Sequence, residues 1–373
     1  MTTIVGSSTE TDEFPLTPEE ILQDYNLCCI SREASLITRR EVLTGKAKFG
    51  ISGDGKEVPQ VALARAMRKG DFRSGYYRDQ TLMLALGLCT LEEYFAQLYA
   101  DPEHDPFSGG RQMNAHFATP LIDAEGQWLD HRKTYNVSAD ISSTAGQMAR
   151  ALGLALASKK YRTNDQLQDT PFSQGGNELS VVTIGDASTS EGVFWETINA
   201  AAVEQVPLAV MVWDDGYGIS VPKKYQTAKE SISTVLAGFA EDEAGDGIRI
   251  YQLKGWQYPA LVRQMAAGLE YCRTHHKPTV FHVDELTQPQ GHSTSGSHER
   301  YKSAERLAWE RQYDCIRQFR RWIIDNGIAT QEEIDQIAQE AKQYAKACRD
   351  RAWKAVNAPV GEQLARLEAL YAD

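Results

Sequence analysis

The stretch GDASTSEGVFWETINAAAVEQVPLAVMVWDDGYGIS, residues 185–220, decides which fold the sequence predicts. The segment before it, LSVVTIG (179–185), is apolar and β-branched, which is typical of an interior strand of a parallel sheet. A helix is predicted over 190–204, followed by a second apolar strand, LAVMVW (208–213). Because a strand–helix–strand unit is right-handed, the carboxyl ends of both strands meet at one edge of the sheet. The sequence therefore predicts an α/β fold with a mostly parallel sheet flanked by helices.

Acidic residues directly follow both predicted strands. Asp186 comes after the first strand, and the pair Asp214 and Asp215 comes after the second. Neighbouring strands lie about 5 Å apart, so we expect Asp186 and Asp215 to converge on one ion. Carboxylates at the carboxyl edge of a parallel sheet suit a hard cation such as Mg²⁺, which can in turn hold phosphate groups. The alternative is that Asp214 and Asp215 only form a turn with Gly216.

Composition and charge limit the classes of function. The 373 residues, 42% hydrophobic and 24% charged, describe an ordinary globular protein with room for one large core or two domains. A formal net charge of −12 argues against nucleic acid as a partner. No apolar run approaches the roughly eighteen residues that would span a membrane, and the polar, acidic start of the sequence is unlike a signal or transit peptide. Six cysteines without metal or disulfide spacing predict reduced thiols and a cytoplasmic location.

Further segments, spread along the chain, carry motifs of their own. They are SGYYRDQTLMLALG (74–87), FSGGRQMNAHF (107–117), ISSTAGQMARALGLALASKKY (141–161) and GHSTSGSHERY (291–301). Together with residues 185–220 they resemble, in the same order, the α subunits of the thiamine-diphosphate-dependent 2-oxo acid dehydrogenases. These subunits belong to the decarboxylating first components of the branched-chain and pyruvate complexes. The segments GGRQMNAH and GHSTS favour the branched-chain type.

The resemblance runs from about Thr17 to the C-terminus and implies the thiamine-diphosphate-binding fold. No repeat or clear linker interrupts the sequence. We therefore predict a flexible arm at 1–16 and a single large α/β domain at 17–373, which binds the diphosphate of the cofactor. Helices are expected at its C-terminal end, from about residue 301.

Two helix starts are marked in the sequence. A capping box of Thr17 with Glu20 opens a helix that is expected to run to about Leu43. Ser142 or Ser143 is predicted to cap a helix crowded with alanine and glycine. Such small side chains allow another helix, or a bound ligand, to approach closely.

The chain departs from the family motif, which reads Gly-Asp-Gly and, one helix later, Asn-Asn. The third glycine is Ala187, which is a small change, and the asparagine pair is Asp214-Asp215. A carboxylate at Asp215 keeps an oxygen ligand but adds negative charge beside a diphosphate. It should strengthen attraction to the metal and weaken attraction to the diphosphate unless a cation compensates, and Arg78 is the candidate for that compensation.

The resemblance also implies which residues hold the metal and the cofactor. Mg²⁺ would be bound by Asp186, Asp215 and the main-chain carbonyl of Tyr217. Thiamine diphosphate would contact Tyr77, Arg78, Ser142, Thr144, Gly185, Ala187, Ser188 and His292.

The chemistry of these residue types suits that assignment. A guanidinium such as that of Arg78 matches phosphate oxygens. The backbone amides of Ala187 and Ser188 stand at the predicted start of a helix, where partial positive charge favours anions. The backbone at Ser142 and Thr144 matches positions that hold the aminopyrimidine ring.

Three further assignments concern the substrate. His292 matches a histidine that touches the diphosphate and the reacting substrate, whereas a histidine in a Ser/Gly loop is by itself more often solvated. His116, in RQMNAHF, matches a histidine that lines the entrance to the site. Phe49 matches a phenylalanine that shapes the acyl pocket, and the alternative is that it belongs to the core.

The resemblance implies an α subunit that decarboxylates a 2-oxo acid, branched-chain rather than pyruvate, and transfers the acyl group to lipoyl-lysine. Its partners would be a β subunit, in an α2β2 heterotetramer, and a lipoyl acyltransferase core. Because the β subunit supplies the glutamate that protonates the aminopyrimidine, this chain should be catalytically incomplete alone. One rival is an acetoin dehydrogenase α subunit or another thiamine-dependent enzyme half. A rival from another class is a non-catalytic regulatory or binding subunit whose altered motif no longer holds the metal.

Overall fold

The computed structural model describes residues 4–5, 14–168, 170–294 and 296–371. Its strands, in chain order, are β1 (Ile4–Val5), β2 (Phe72–Ser74), β3 (Asn136–Ser138), β4 (Ser180–Gly185), β5 (Leu208–Trp213), β6 (Tyr217–Gly218), β7 (Val221–Pro222), β8 (Arg249–Lys254) and β9 (Thr279–Asp284). Its α-helices are α1 (Pro18–Leu43), α2 (Glu57–Ala66), α3 (Gln80–Ala85), α4 (Leu91–Leu98), α5 (Gln147–Thr163), α6 (Gly192–Glu204), α7 (Ile232–Val235), α8 (Tyr258–His275), α9 (Ala304–Gln312), α10 (Cys315–Asp325) and α11 (Gln331–Tyr371). Within these residues we find no helix long and apolar enough to cross a bilayer.

A parallel sheet organises the fold. In the described part of the chain it has seven strands, in the order β1-β8-β9-β5-β4-β2-β3. The central strands β4 and β5 pair along their whole length, and Gly185 at the end of β4 lies opposite Trp213 at the end of β5. The predicted α/β fold with a parallel sheet is therefore confirmed. Beyond β5 the chain forms a short antiparallel ribbon, β6-β7.

Apolar clusters cover both faces of this sheet. Val181 in β4 belongs to a buried cluster built with α1, α2, α8 and α10, whereas Val182 and Ile184 belong to a cluster built with α5 and α6. This alternation arises because successive side chains of a strand point to opposite faces. Phe194 and Ile198, on the predicted apolar face of α6, are fully buried. The six cysteines are buried and free, so they contribute to the core as thiols.

One predicted helix start is confirmed and the other is wrong. Thr17 Oγ1 accepts a hydrogen bond from the N–H of Glu20 (3.3 Å), and Glu20 Oε2 accepts one from the N–H of Thr17 (2.9 Å), which completes the capping box of α1. The small-residue helix α5 begins at Gln147, and neither Ser142 nor Ser143 caps it. The reason is that the backbone at Ala145 is left-handed, with φ of 57°, and a left-handed residue interrupts an α-helix.

Part of the predicted arm at 1–16 contacts the domain. β1 extends the edge of the sheet by pairing with β8, with Ile4 opposite Ile250. The ring of Phe14 lies 5.9 Å from that of Tyr258. Residues 4–5 and 14–16 are therefore attached to the domain and do not form a free arm. Residues 4–5 extend the sheet, and the ring of Phe14 contacts the core. Residues 1–3 and 6–13 of the predicted arm lie outside the described residues.

Candidate functional site

A cavity opens at the carboxyl edge of β4 and β5, with a volume of about 280 Å³. The residues of the predicted site that line it are Tyr77, Arg78, Thr144, Gly185, Asp186, Ala187, Ser188, Asp215, Tyr217 and His292. It is also lined by Tyr76, Trp213, Gly218, Ile219 and Gln226. Segments that are far apart in sequence thus meet where open α/β sheets commonly bind ligands.

A buried polar cluster fixes the segment 76–78, which forms one wall of the cavity. The guanidinium of Arg73 is fully buried and donates to Asp79 Oδ2 (2.6 Å) and to the carbonyl of Tyr76 (3.2 Å). Asp79 Oδ1 accepts a hydrogen bond from the indole N–H of Trp213, at the end of β5 (3.1 Å). A buried charge is tolerated only when it is paired and hydrogen-bonded. This network therefore holds the wall against the end of the central strand.

Asp186 differs from Asp214 and Asp215 in having a buried side-chain oxygen without a partner among the described residues. Its side chain is buried, and its Oδ2 has no hydrogen-bond partner among the described residues. Burial, and then the charges of Asp214 and Asp215, raise the pKa of Asp186 well above its usual range. The three carboxylates lie together because β4 and β5 end side by side. A divalent cation would relieve both the repulsion and the missing contact.

Asp214 is already satisfied by protein groups. Its Oδ2 accepts a hydrogen bond from Lys223 Nζ (2.9 Å) and lies 2.9 Å from Nε2 of His282. Its Oδ1 accepts from the N–H of Gly216 (2.9 Å), which is the turn contact considered as an alternative. Burial acts to raise the pKa of Asp214, but the bonds from His282 and Lys223 outweigh it and lower the pKa to about 2. Asp214 is therefore an ionised residue whose contacts with Lys223, His282 and Gly216 give it a structural role next to Asp215.

Asp215 is neutralised by a lysine. Lys56 is fully buried, and its Nζ donates to Asp215 Oδ2 at 2.8 Å. Burial acts to raise the pKa of Asp215, but the charges of Lys56 and then of Arg78 lower it. Arg78 therefore contributes to the compensation of Asp215 through its charge, whereas the direct contact comes from Lys56. The Arg78 guanidinium donates instead to the main-chain carbonyls of Ser52 (2.6 Å) and His292 (3.0 Å).

His292 and Tyr77 line the cavity beside Arg78. The Arg78 guanidinium lies 5.1 Å from the centre of the Tyr77 ring, and that ring lies 6.3 Å from the ring of His292. Burial, and then the positive charge of Arg78, lower the pKa of His292 to about 4. Its imidazole is therefore neutral at neutral pH, with one nitrogen able to donate and the other able to accept a hydrogen bond.

His116 and Ser142 form a pair outside the lining of the cavity. Nε2 of His116 lies 2.7 Å from Ser142 Oγ, and Nδ1 lies 3.2 Å from the carbonyl of Asn114. Because a carbonyl can only accept, we assign the ring proton to Nδ1, which leaves Nε2 to accept from the serine hydroxyl. The His116 side chain is buried, with its ring 6.2 Å from that of Tyr77. The catalytic role of His116 and the cofactor contact of Ser142 stay predictions.

Phe49 lies beside the loop that carries His292. It is 36% exposed and is not one of the described residues that line the cavity. The next residue, Gly50, donates its N–H to Thr294 Oγ1 (3.1 Å) and accepts from the N–H of Thr294 through its carbonyl (3.0 Å). The exposure of Phe49 argues against the alternative that it belongs to the core. The place of Phe49 in the acyl pocket stays a prediction.

Several residues of the site were not predicted from the sequence. Tyr76 and Trp213 are neighbours of predicted site residues. They were not predicted because an aromatic residue in or next to a strand more often belongs to the hydrophobic core. Gln226 reaches the cavity through the β6-β7 ribbon, where its Nε2 donates to the carbonyl of Val221 (2.6 Å). Lys56 lies in a glycine-rich segment that has no local signal for a buried charge.

The residues present fit a divalent cation that carries phosphate groups. The unpartnered, buried oxygen of Asp186 is the main observation, and Asp215 lines the same cavity. Across the described ranges, no three His, Cys, Asp or Glu side chains are grouped so as to hold a metal ion. The family resemblance implies ligation by Asp186, Asp215 and the main-chain carbonyl of Tyr217, and Mg²⁺ bound to phosphates commonly takes only one or two protein carboxylates. Arg78 supplies positive charge for phosphate oxygens in that cavity.

Comparison with known proteins identifies similar chains. A model of the family described as dehydrogenase E1 component matches residues 29–362. The chain is 26% identical over 366 residues to the 2-oxoisovalerate dehydrogenase subunit alpha of Bacillus subtilis (strain 168), an alignment that covers 96% of this chain and 97% of that protein. It is 26% identical over 329 residues to the pyruvate dehydrogenase E1 component subunit alpha of Acholeplasma laidlawii, covering 87% of this chain and 81% of that one.

A plant relative is longer than this chain. The mitochondrial 2-oxoisovalerate dehydrogenase subunit alpha 1 of Arabidopsis thaliana is 25% identical over 300 residues, which are 80% of this chain and 56% of that protein. The chain thus spans little more than half of the Arabidopsis relative. It spans nearly the full length of the Bacillus subtilis relative.

Proposed function

The chain belongs to the dehydrogenase E1 component family, and from that premise we propose that it is the α subunit of a 2-oxo acid dehydrogenase. It decarboxylates a branched-chain 2-oxo acid and transfers the acyl group to lipoyl-lysine. The observation that carries the proposal is the cavity where Asp186 and Asp215 meet Arg78 and His292. The similarity to 2-oxoisovalerate dehydrogenase α subunits supports a branched-chain substrate.

Thiamine diphosphate, when bound, supplies the carbon nucleophile and the electron sink that decarboxylation requires. Asp186, Asp215 and the carbonyl of Tyr217 hold its Mg²⁺. Arg78 binds the diphosphate, because a guanidinium donates to phosphate oxygens in a fixed plane. Its bonds to the carbonyls of Ser52 and His292 use part of its donor capacity and fix its orientation.

His292 acts on the substrate as a neutral imidazole. Because its pKa is lowered to about 4, it does not add positive charge beside Arg78 at neutral pH. One ring N–H can donate to an oxygen of the substrate, and the other nitrogen can accept a proton during the acyl transfer. Arg78 holds the main chain of His292, so the position of the imidazole depends on the residue that binds the diphosphate.

A β subunit completes the site, in an α2β2 assembly that docks on a lipoyl acyltransferase core. The support is the open side of the cavity. Thr144, which lines it, is exposed, as are the neighbouring Ser142 and Ser143. Ile219 also lines the cavity and is 62% exposed. Exposed apolar side chains at the rim of a polar cavity commonly mark a partner surface.

The test is a decarboxylation assay of the α–β assembly, with thiamine diphosphate and Mg²⁺, on a panel of 2-oxo acids. We expect 3-methyl-2-oxobutanoate and its branched homologues to be consumed faster than pyruvate. Turnover of acetoin instead of any 2-oxo acid would favour the acetoin dehydrogenase alternative. Absence of Mg²⁺-dependent cofactor binding, together with absence of turnover, would favour the non-catalytic subunit whose altered motif no longer holds the metal.

Substitutions at Arg78 and His292 are expected to act at different stages. Arg78→Ala should weaken thiamine diphosphate binding by roughly ten- to a hundredfold, because a charged phosphate partner is lost. His292→Ala should leave that affinity nearly unchanged and lower kcat by about a hundredfold or more, as expected for a lost proton-transfer group. Calorimetry and steady-state kinetics of the assembly measure the two effects.

Controls for this pair lie on the surface of the same chain. Arg321, whose side chain is 74% exposed, is the matched arginine, and the exposed His275 at the end of α8 is the matched histidine. Alanine at either control should change neither quantity. Equal, small effects of Arg78→Ala and His292→Ala on binding, with kcat untouched, would contradict the division of roles.

A further inference from the structure

We propose that Lys56 is a positioning residue of the cation site, whose ammonium group allows a carboxylate, Asp215, to occupy a ligand position. The inference rests on the proposed function of the cavity. It adds that the Lys56–Asp215 pair acts as one neutral ligand, so that replacement of either residue alone destabilises the cation-free protein.

The geometry of Lys56 leaves its charge no freedom to move. The residue is fully buried, and its Nζ donates to Asp215 Oδ2 at 2.8 Å. It also donates to Gln288 Oε1 (2.7 Å) and to the carbonyl of Thr287 (3.2 Å). An ammonium group has three N–H donors, and these contacts use all of them. Lys56 is therefore a fixed part of the site rather than a mobile surface counter-ion.

The charges around the cavity explain why that lysine matters. Asp186 directly follows β4 and the pair Asp214-Asp215 directly follows β5, and the two strands end side by side. Lys223 pairs with Asp214, and Lys56 pairs with Asp215. Asp186 is left as the carboxylate with an unpartnered oxygen in the described part of the site. A divalent cation would thus meet Asp186, which has no positive partner within the described ranges, and Asp215, which is already paired with Lys56. The positive charge of Lys56 lowers the affinity for the cation but stabilises the cation-free site.

Lys56 also connects the cation site to the loop that leads to His292. Gln288, which accepts from Lys56, donates through Nε2 to Asp54 Oδ1 (2.8 Å). The other oxygen of Asp54 accepts from the N–H of Gln290 (2.8 Å). Gly55 makes this approach possible, because a Cβ there would lie 2.1 Å from the carbonyl of Thr287 and its φ is +86°. Replacement of Lys56 should therefore affect residues 287–292 as well as Asp215.

The first arm of the test is a double-mutant cycle on thermal unfolding of the full chain without added cation. Lys56→Met and Asp215→Asn each leave a buried charge without its partner, and each should lower Tm by about 5 °C or more. The Lys56→Met/Asp215→Asn double variant should show a decrease in Tm that is clearly smaller than the sum of the decreases in the two single variants. Lys277→Met, which breaks a partly buried ion pair with Glu241 elsewhere in the fold, is the matched control. When it is combined with Asp215→Asn, the two decreases in Tm should be additive. Additive losses for Lys56 and Asp215 would overturn the inference.

The second arm measures Mg²⁺ affinity by calorimetry, with thiamine diphosphate present, in the α–β assembly. Lys56→Met should raise Mg²⁺ affinity at least about tenfold, because a positive charge beside a ligand is removed. If that variant does not fold, the double variant compared with Asp215→Asn should show the same increase. Unchanged Mg²⁺ affinity in a variant assembly that still binds thiamine diphosphate would overturn this inference and leave the proposed function standing. A wild-type assembly that binds neither Mg²⁺ nor thiamine diphosphate overturns the proposed function and this inference together.

Discussion

Replacement of Asp186 by alanine is expected to abolish the Mg²⁺-dependent binding of thiamine diphosphate, lowering its affinity at least about a hundredfold. The reason is that Asp186 supplies the carboxylate oxygen that no described protein group satisfies. Asp215 cannot replace it, because its charge is already balanced by Lys56 at 2.8 Å. Calorimetric titration of the α–β assembly with the cofactor, with and without Mg²⁺, measures the loss.

The stability of the cation-free protein provides the control for this substitution. Asp186→Asn keeps the size of the side chain and removes a carboxyl group whose ionised form is disfavoured by burial and by repulsion from Asp214 and Asp215. We expect its Tm without Mg²⁺ to equal or exceed that of the wild type, although the cofactor no longer binds. An ordinary structural aspartate would show the reverse, a loss of stability with binding retained, and that result would remove Asp186 from the metal site.

The second large effect concerns assembly: the purified chain alone should turn over 2-oxo acids at least about a thousandfold more slowly than the α–β assembly. The family resemblance assigns the glutamate that drives cofactor activation to the β subunit, and proton-transfer groups contribute roughly a hundred- to ten-thousandfold to rate. Thr144 and Ile219 are exposed at the open side of the cavity, so the lone chain should also bind the cofactor more weakly than the assembly does. Rates of the lone chain and of the co-expressed pair, at saturating cofactor, give the ratio.

Folding of the lone chain must be established in the same preparation. Circular dichroism and a cooperative thermal transition would show that inactivity does not arise from unfolding. Obligate interfaces of this kind commonly bury more than about 2,000 Å², so the pair should remain associated during gel filtration at micromolar concentration. Decarboxylation by the folded, lone chain at an ordinary enzymatic rate would show that the two-subunit interpretation is wrong.

Local signals in the sequence were sufficient for the central elements of the fold. The runs 179–185 and 208–213 are apolar and β-branched, and the structure has strands at Ser180–Gly185 and Leu208–Trp213. Thr17 is followed three positions later by Glu20, and α1 begins between them. Each of these features depends on residues that are neighbours along the chain, so its physical cause is visible in the sequence.

Elements that depend on distant pairing were not visible. β2 and β3 are three residues long, too short for a periodic pattern, and they exist because β2 pairs with β4 and β3 pairs with β2. The start of α5 at Gln147 was not predicted, because an alanine such as Ala145 carries no local signal for a left-handed backbone. In both cases tertiary contacts override local propensity.

The candidate site divides in the same way. The strand–helix–strand connection was enough to predict that Asp186 and Asp215 approach each other, because parallel neighbouring strands end at one edge. The charge balance of that pair was not predictable, since Lys56 lies 159 positions from Asp215 and in a segment without a local signal. Burial of an ion pair is a property of the packed structure, in which desolvation makes each charge depend on the other. The sequence therefore determined where the carboxylates meet, and only the tertiary structure decided which cation neutralises Asp215 and which carboxylate is left for a metal.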